Sequence, residues 1–577
     1  MTETSTPPLK GGLATGGSTS GAVRFLRRWT PAVALVVAAG LLVVVPLLVL
    51  MRTALEEGLG PLLEAVASAS AAISATLWTS ILATLLAVVV GATIAVLTER
   101  TDVPGRRGLR LAMLLALIEP GYVAALGWLN TYGPGGFLDD VFGVAAPALI
   151  GPLGIVVVMG VEAAPIAYLI VVAGLHSRAE PDLERAARAS GASAQEAFRG
   201  ITLPLLRPVF AGAAAIAFVL SVTSFGVPAV LGIPAGFTTM TTSIYRDLAF
   251  SSDPESFVRA IGLALVLAVG AALVIALGDW LLARRRADRS GAFAGPLGVP
   301  DGPAAPGPVE EGGGRRRVRP RALAAGVLAW SVVTLIVLLP LVGLLMTALT
   351  PAPGLAPVPS NWTLDNFRAV LDPRTLEAFG NSLLLAGGAA VGVILLAALA
   401  VMARRGRGAG LTGGLLGATF ALPGSTLAVA VLLAYGVSLR NTLLIILVAY
   451  LAKFWALGYR PVASGLDAIP QDSYRAARVS GAGVWTTTRT VVLPLLRPMI
   501  IAGGLIVFMF GLHEVTMSSL LYGPGSATLA VVVLNLQQLG DNGLTAALAL
   551  VLALIVTLAA MPLLARSGTL ERVGWRR

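Results

Sequence analysis

A polar stretch that occurs twice decides how the rest of this chain is organised. The first copy reads Asp182-Leu-Glu-Arg-Ala-Ala-Arg-Ala-Ser-Gly-Ala192 and is followed by Ile201-Thr-Leu-Pro-Leu-Leu-Arg-Pro208. The second copy reads Asp472-Ser-Tyr-Arg-Ala-Ala-Arg-Val-Ser-Gly-Ala482 and is followed by Val491-Val-Leu-Pro-Leu-Leu-Arg-Pro498, 290 residues later. A repeat at one constant separation indicates two homologous halves, each built around one copy.

Each copy carries the signals of a short helix, a turn and a second helix. A proline and an aspartate favour the start of the first helix, and a glycine suits a left-handed cap at its end. These residues are Pro181, Asp182 and Gly191 in the first copy, and Pro470, Asp472 and Gly481 in the second. The Leu-Pro pairs at 203–204 and 493–494 predict the end of the second helix. A loop this polar could serve only as a connection, but its recurrence favours a function.

Composition places the two copies in a membrane protein. Of 577 residues, 56% are hydrophobic and 12% charged, about half the charged fraction of a soluble chain. Apolar stretches long enough to cross a bilayer as helices predict twelve spans, six in each half. The sequence therefore predicts an all-α polytopic fold, with spans at 31–51, 71–97, 111–128, 148–175, 209–231, 260–282, 322–349, 382–402, 411–435, 442–459, 499–521 and 544–564.

The basic residues predict the orientation. The chain has 41 Lys and Arg against 30 Asp and Glu, and with a cytoplasmic N-terminus six arginines fall in external loops. The positive-inside rule then puts both termini in the cytoplasm of a multi-pass plasma-membrane protein whose surface contacts lipid. The net charge of +11 is read as this topology signal and not as a nucleic-acid site. Composition divides the chain into a tail (1–30), a first half (31–286), a Gly/Pro-rich cytoplasmic linker (287–321) and a second half (322–577).

Several chemistries are excluded. The chain has no cysteine and two histidines, so thiolate and multi-histidine metal sites are absent. Lys10 and Lys453 are the only lysines, and neither follows the glycine-rich loop that a phosphate-binding ATPase requires. The chain is therefore not expected to be an enzyme or to bind a cofactor itself, and energy must come from a partner or an ion gradient.

A few ionisable residues fall inside the predicted spans. A charge in hydrocarbon is costly, so such residues are expected to face the bundle interior or a wet cavity. Glu119, Glu162 and Glu514 are candidates for lining a path across the membrane, with Ser224 at the position that matches Glu514 in the other half. The alternative is that neutral or paired carboxylates hold helices together. Three carboxylates on separate spans do not make a metal site by themselves, and none is predicted.

The loop spacing resembles a known family. Ala-Ala, three residues, Gly, nine residues, Ile or Val, one residue and Leu-Pro is similar to the EAA loop of ABC importer permeases. The resemblance implies the type I ABC importer permease fold and a helix that docks on an ATPase. The implied docking residues are Arg185, Ala186, Ala187, Arg188, Gly191, Arg475, Ala476, Ala477, Arg478 and Gly481. Arg185 and Arg475 stand where that motif has a glutamate, and Glu184 lies one place earlier in the first copy alone.

Two further stretches, 218–232 and 512–530, resemble fused double permeases of ferric-iron importers, whose relatives move thiamine, polyamines and aminoethylphosphonate. The implied function is the path-forming subunit of such an importer, working with two ATP-hydrolysing subunits and an extracytoplasmic binding protein. The resemblance to ferric-iron permeases is the main reason to favour ferric iron as the substrate. The acidic candidate path residues are consistent with it, and the lack of arginine within the predicted spans favours a cation. The alternatives are another cargo of the same class and a gradient-driven secondary transporter with two six-span halves.

The predicted topology can be tested with reporter insertions. A reporter active only in the cytoplasm should function when inserted near Gly302, in the linker. A reporter active only outside should function near Pro359, in the loop after the seventh span. The opposite activities would contradict the twelve-span arrangement.

Overall fold

The computed structural model describes residues 32–178, 181–287, 320–352, 354–404, 419 and 422–574. In these ranges the chain is helical, with turns and no strand. The tail 1–30 and residues 288–319 of the predicted linker lie outside them. Ten described helices are long and apolar enough to cross a membrane: Ala32–Glu57, Ser70–Arg100, Pro152–Ser177, Ala194–Thr223, Pro254–Ala276, Ala322–Leu349, Pro373–Ala403, Leu443–Asp467, Val484–Leu512 and Asn542–Pro562.

The predicted third span is not one straight helix. Arg106–Ile118 and Gly121–Phe142 are bent by 105° relative to each other, because Pro120 has no N–H and Glu119 is extended. In the second half the corresponding segment is described as the helix Gly424–Leu439. Residues 405–418 and 420–421, which precede this helix, lie outside the described part. With the bent pair, the described residues hold up to eleven spans, and the number twelve stays a prediction.

The predicted fifth and eleventh spans, 209–231 and 499–521, are also broken. In the first half a long helix ends at Thr223 and a short helix, Gly226–Leu231, follows it. In the second half the long helix ends at Leu512 and the short helix is Thr516–Leu521. Both predictions of a continuous span were wrong, because hydropathy does not register a change of direction within an apolar segment.

Shorter helices complete each half. Some lie between the spans, and others follow the breaks on the way to the last span. They are Leu59–Ser68, Phe137–Phe142, Pro181–Ala189, Met240–Ala249, Asp365–Ala369, Gln471–Val479 and Leu529–Leu539.

The first long helix of each half packs against the other half. We call Ala32–Glu57 and Ala322–Leu349 the wrapping helices. The first lies along Gly424–Leu439, and the second lies along Gly121–Tyr132. Leu35 and Val43 are buried among second-half side chains, and Leu344 and Ala348 among a core that includes first-half side chains. The two halves are thus held together by an exchange of helices.

A proline in each wrapping helix produces a local defect. Wide π-helical turns, Gly40–Val44 and Thr334–Leu338, stand just before Pro46 and Pro340. In each π-helical turn the N–H of the residue before the proline donates to the carbonyl of Gly40 or Thr334. The next carbonyl, of Leu41 or Leu335, would pair with the following residue, but that residue is the proline and has no N–H. These two carbonyls therefore need partners from elsewhere.

A tyrosine from the opposite half supplies each partner. The Tyr435 hydroxyl donates to the Leu41 carbonyl over 2.5 Å, and the Tyr132 hydroxyl donates to the Leu335 carbonyl over 2.5 Å. Inside a bilayer an unpaired carbonyl has no water to bond, so these contacts both satisfy the backbone and join the halves. We call them the tyrosine clasps.

Small residues allow the remaining helices to approach closely. A side chain at Gly91 would lie 2.6 Å from the Ala164 carbonyl, and one at Gly458 would lie 2.3 Å from Val393. Close backbone approach through glycine is a common basis of helix packing in membranes. The second span packs on the fourth span through these glycines in both halves.

The tyrosine clasps predict a measurable loss of stability. Tyr132→Phe and Tyr435→Phe should each destabilise the protein by about 1 kcal/mol, because each leaves a carbonyl unpaired. Thermal unfolding of the purified protein in detergent should show a lower midpoint for each variant. Tyr522→Phe is the matched control, because the hydrogen bond described for the Tyr522 hydroxyl is a long 3.4 Å contact in which it accepts from Asn535. Midpoints equal to the control in both variants would refute the clasps.

Candidate functional site

The two repeated loops have the local structure that their sequence predicts. Pro181–Ala189 and Gln471–Val479 are short helices with aspartates in their first turns. Gly191 and Gly481 close them at φ of 95° and 72°, in the left-handed region that favours glycine. Pro470 differs slightly from the prediction, since it caps its helix from the position just before it. We call these two helices the docking helices.

The second helix of each loop does not end at the Leu-Pro pair, and that prediction was wrong. A π-helical turn, Phe198–Thr202 or Thr488–Val492, precedes Pro204 or Pro494 and carries the helix past it. The result is one continuous helix from each loop into the membrane, Ala194–Thr223 and Val484–Leu512. At about 1.5 Å per residue, each is a rod of roughly 45 Å.

The docking helices present most of their predicted residues on an open surface. The side chains of Arg185 and Arg475 are each 70% exposed. Ala186, Arg188, Gly191, Ala476, Arg478 and Gly481 are also exposed, while Ala187 and Ala477 are half-buried. No partner chain is present, so the docking role of these ten residues stays a prediction.

The structure adds apolar residues to this surface that the sequence reasoning missed. Val479, Val484 and Trp485 in the second loop are 89%, 73% and 74% exposed. A solvent-facing tryptophan in a polar loop is typical of a contact surface. The signal was present in the sequence as three apolar residues next to the second copy of the motif.

Glu119 and Glu162 come together inside the first half. Both are half-buried, both line one small cavity, and their charges lie close enough to interact. The cavity has room for about one water and is closed by Trp128 and by Pro340 of the second wrapping helix. Gly121 leaves room for the Glu162 carboxylate, because a side chain at this position would lie 2.3 Å from it.

Ser224 lies at the break in the fifth span of the first half. Pro228, four residues later, has no N–H to offer, so the Ser224 carbonyl is freed from the helix. The Thr241 hydroxyl donates to that carbonyl over 2.8 Å. The backbone carbonyl of Ser224 is therefore the group freed at the break, and the Ser224 side chain is half-buried next to this carbonyl.

Glu514 lies at the matching break in the second half. Its carboxylate accepts hydrogen bonds from the backbone N–H of Met517 at 2.9 Å and of Ser518 at 3.1 Å. The Ser518 hydroxyl donates to the Glu514 carbonyl at 2.9 Å. Ser518 thus satisfies the carbonyl at this break as Thr241 satisfies the Ser224 carbonyl in the first half. Glu514 thus caps the short helix Thr516–Leu521 from two residues before its start.

Lys453 and Tyr450 from the tenth predicted span reach the same break. The Lys453 ammonium donates to the Leu422 carbonyl over 2.5 Å and lies within electrostatic range of Glu514. The Tyr450 hydroxyl is 2.7 Å from the Ser518 hydroxyl. We call Glu514, Lys453, Tyr450 and Ser518 the central cluster. The sequence places Lys453 within the predicted span 442–459 but indicates no role for it.

The two breaks meet where the halves join. A side chain at Gly226 would lie 2.8 Å from Tyr122 and 3.4 Å from Val515 of the other half. In the second half, Gly424 is in contact with Thr516, the counterpart of Gly226. Tyr122 of the first half also lies within electrostatic range of Glu514 of the second half.

The polar groups at this junction do not form a metal site. Among the described residues, no three His, Cys, Asp or Glu side chains gather closely enough to hold a metal ion. The prediction that no arginine lies within a span needs a correction, because the helix Leu443–Asp467 extends past its predicted end and includes Arg460. The central cluster combines acidic, basic and hydroxyl groups, with Tyr450 and Ser518 buried and the other two side chains half-buried.

Comparison with known proteins adds a family match. Residues 24–287 and 388–567 each match the family described as binding-protein-dependent transport system inner membrane component. The two matches fall on the two halves of the fold, which confirms that the halves are homologous units.

Three relatives are informative. A probable ABC transporter permease of Sinorhizobium fredii is 28% identical over 496 residues, 81% of each chain. A putative 2-aminoethylphosphonate transport system permease of Salmonella typhimurium is 30% identical over 248 residues, 42% of this chain and 92% of the relative. A ferric transport system permease of Actinobacillus pleuropneumoniae is 31% identical over 163 residues, 27% of this chain and 23% of the relative.

Proposed function

From the premise that the chain belongs to the family of binding-protein-dependent transport system inner membrane components, we propose that its central cluster is where a cargo passes between the two halves. As a member of that family the chain is a multi-pass membrane subunit of an ABC importer, a transport subunit and not an enzyme, with both halves in one polypeptide. Its partners are ATP-binding and substrate-binding components.

The path in this proposal runs along Glu119, Glu162, Ser224 and Glu514. All four side chains are half-buried, as expected for groups that border a space opened in only one state. The breaks at Ser224 and Glu514 support the proposal, because irregular backbone at membrane depth is tolerated where it lines a cavity or is buried in protein. The cargo enters from the external side, and both chain termini lie in the cytoplasm.

One observation carries the mechanism. In each half a single continuous helix begins at the docking loop and ends at a break, at Thr223 or Leu512. A displacement of the loop is therefore delivered directly to the junction of the halves. In our proposal two copies of an ATP-hydrolysing partner bind the docking helices, and their closure rocks the halves between inward-open and outward-open states. ATP is used by that partner, and this chain binds no cofactor.

The charges at the junction favour a cationic cargo. Glu119, Glu162 and Glu514 outnumber Lys453, and they would attract a cation as it leaves the binding protein. Ferric iron or a ferric chelate is the proposed cargo, supported by the resemblance at 218–232 and 512–530 and by the ferric relative. Selection of the metal then belongs to the binding protein, and the permease offers only a passing site.

A second cargo has its own support. Lys453 and Glu514 place a positive and a negative group near each other in the central cluster. A zwitterion such as 2-aminoethylphosphonate could pair its phosphonate with Lys453 and its ammonium with Glu514. The relative named for that cargo matches over most of its length. This is the alternative to iron within the same class, with thiamine and polyamines as further candidates.

The docking helices can be tested at their exposed alanines. Ala186→Glu and Ala476→Glu should weaken association of the ATP-binding partner by at least about tenfold, because each places a bulky charge at a close contact. Transport should fall in parallel, while the amount of protein in the membrane stays the same. Co-purification of the tagged chain with the partner measures the effect.

Ala145→Glu is the control, since Ala145 is an exposed alanine in an external loop and receives the same added charge. Normal association of the partner with both docking variants would refute the docking assignment.

The cargo can be identified by uptake in a strain that lacks this chain. Radiolabelled ferric iron, 2-aminoethylphosphonate, thiamine and putrescine are compared after complementation with the wild type, Glu514→Gln or Lys453→Met. For a cation, Glu514→Gln should lower uptake by about tenfold or more, and Lys453→Met should lower it less. For a zwitterion, both variants should lower uptake by similar factors.

Glu57→Gln, at an exposed external position, controls for loss of a carboxylate as such. Unchanged iron uptake in the deletion strain would exclude iron. Wild-type uptake of the identified cargo by Glu514→Gln would remove that residue from the path.

A further inference from the structure

The first docking helix is joined to the membrane-embedded body by charged contacts. Glu184, on the inner face of this helix, pairs with Arg100 at the end of the second span, with the closest oxygen and nitrogen 3.2 Å apart. The Thr202 hydroxyl also donates to the Glu184 carboxylate. The side chains of Glu184 and Arg100 are only 14% and 26% exposed, so the pair is partly withdrawn from solvent.

A second charged group extends this junction. Glu99, the neighbour of Arg100, lies 3.0 Å from Arg110 and 3.5 Å from the Nε2 atom of His176. These contacts tie the second span to the start of the bent third span and to the end of the fourth. The docking helix, through Arg100, is thus connected to a network that spans several helices.

The second half fills the same positions with apolar side chains. At the constant separation of 290 residues, His176, Glu184 and Thr202 correspond to Leu466, Tyr474 and Val492. These three side chains pack in one hydrophobic cluster with Ile469 and Leu496. The second docking helix is therefore held to its half by apolar contact at the positions where the first uses charges and a hydroxyl.

The turn that follows the docking helix also differs between the two halves. In the first loop Ser193 and Glu196 form a reciprocal cap, in which the Ser193 N–H donates to the Glu196 carboxylate over 2.8 Å. This bond holds the pKa of Glu196 below its ordinary value. The second loop has Gly483 and Thr486 at these positions. The first loop thus contains a capping carboxylate that has no counterpart in the second loop.

We infer that Glu184 is a positioning residue that holds the first docking helix in place through Arg100, whereas packing of Tyr474 holds the second. The positioning role itself does not depend on the proposed docking function. Its consequence does: two docking helices held by different interactions would respond differently when the bound partner subunits move. Removing one partner of a partly buried ion pair leaves the other charge uncompensated, and salt weakens such a pair at a protein surface. Apolar packing has no such dependence on charge.

This arrangement also accounts for Glu184 as a departure from the motif. Successive residues on a helix are rotated by about 100°, so a carboxylate one place early faces a different direction. Glu184 faces the body of its own half, and Arg185 faces outward. Glu184 therefore does not replace the motif's glutamate at the partner surface.

Spin labels on the full chain in lipid nanodiscs test the inference without any partner. The chain has no cysteine, so Ala189→Cys and Val479→Cys place single labels at equivalent exposed sites on the two docking helices. Raising NaCl from about 50 mM to about 500 mM shortens the screening length about threefold, and it should at least about double the mobile fraction at 189 with little change at 479.

Variants separate positioning from general damage. Glu184→Gln should mobilise the label at 189 at low salt, and the exchange Arg100→Glu with Glu184→Arg should restore it. Replacing four first-half residues by their second-half counterparts removes both charges of the pair and should give an immobile label that salt does not affect; the changes are Arg100→Ala, His176→Leu, Glu184→Tyr and Thr202→Val. Tyr474→Gln is the matched change in the second half and should mobilise the label at 479 at both salt concentrations.

The outcomes are distinguishable. Equal salt responses at 189 and 479 in the wild type would overturn the inference. An exchange variant as mobile as Glu184→Gln would also overturn it. If the labels behave as expected but the ATP-binding partner binds Ala186→Glu as well as the wild type, the positioning role of Glu184 stands and the docking proposal fails.

Discussion

A backbone carbonyl inside a bilayer has no water to bond, and the architecture of this chain follows from how that constraint is met. Prolines interrupt several of its membrane helices, and each interruption frees a carbonyl. At Leu41 and Leu335 a tyrosine from the opposite half binds the freed oxygen. The defects that weaken single helices therefore become the contacts that join the halves. Because each contact needs the wrapping helix to lie across the other half, the helix exchange and the backbone defects depend on each other.

The same constraint shapes the site. The carbonyls of Ser224 and Glu514 are bound by the Thr241 and Ser518 hydroxyls, so these two carbonyls are satisfied without water. A break that is already satisfied can persist in the membrane and can place a side chain such as Glu514 at the junction of the halves. The continuous helices Ala194–Thr223 and Val484–Leu512 lead from the docking loops and end at these breaks. They connect the exposed loop surface with the junction of the halves.

The sequence predicts what depends on local residues and fails where the direction of a side chain or a helix matters. The docking helices and their caps at Gly191 and Gly481 were predictable, since proline, aspartate and glycine act through their own backbone. The two-half plan was predictable from the repeat. The breaks near Ser224 and Glu514 were not, because an apolar segment keeps its hydropathy when it bends. The junction of Lys453 with Glu514, and the inward direction of Glu184, depend on packing between distant segments.

Covalent fusion has a consequence for the symmetry of the site. An importer assembled from two identical chains would carry Lys453 and Glu514 twice, at positions related by its two-fold axis, and its centre would have no net direction. In this chain the positions that match Lys453 and Glu514 in the first half are Ala163 and Ser224. The junction therefore has an electrical polarity across the pseudo-two-fold axis. A molecule with unlike ends would therefore lie across this junction in one preferred lateral orientation, whereas a strictly two-fold pore would offer two equivalent ones.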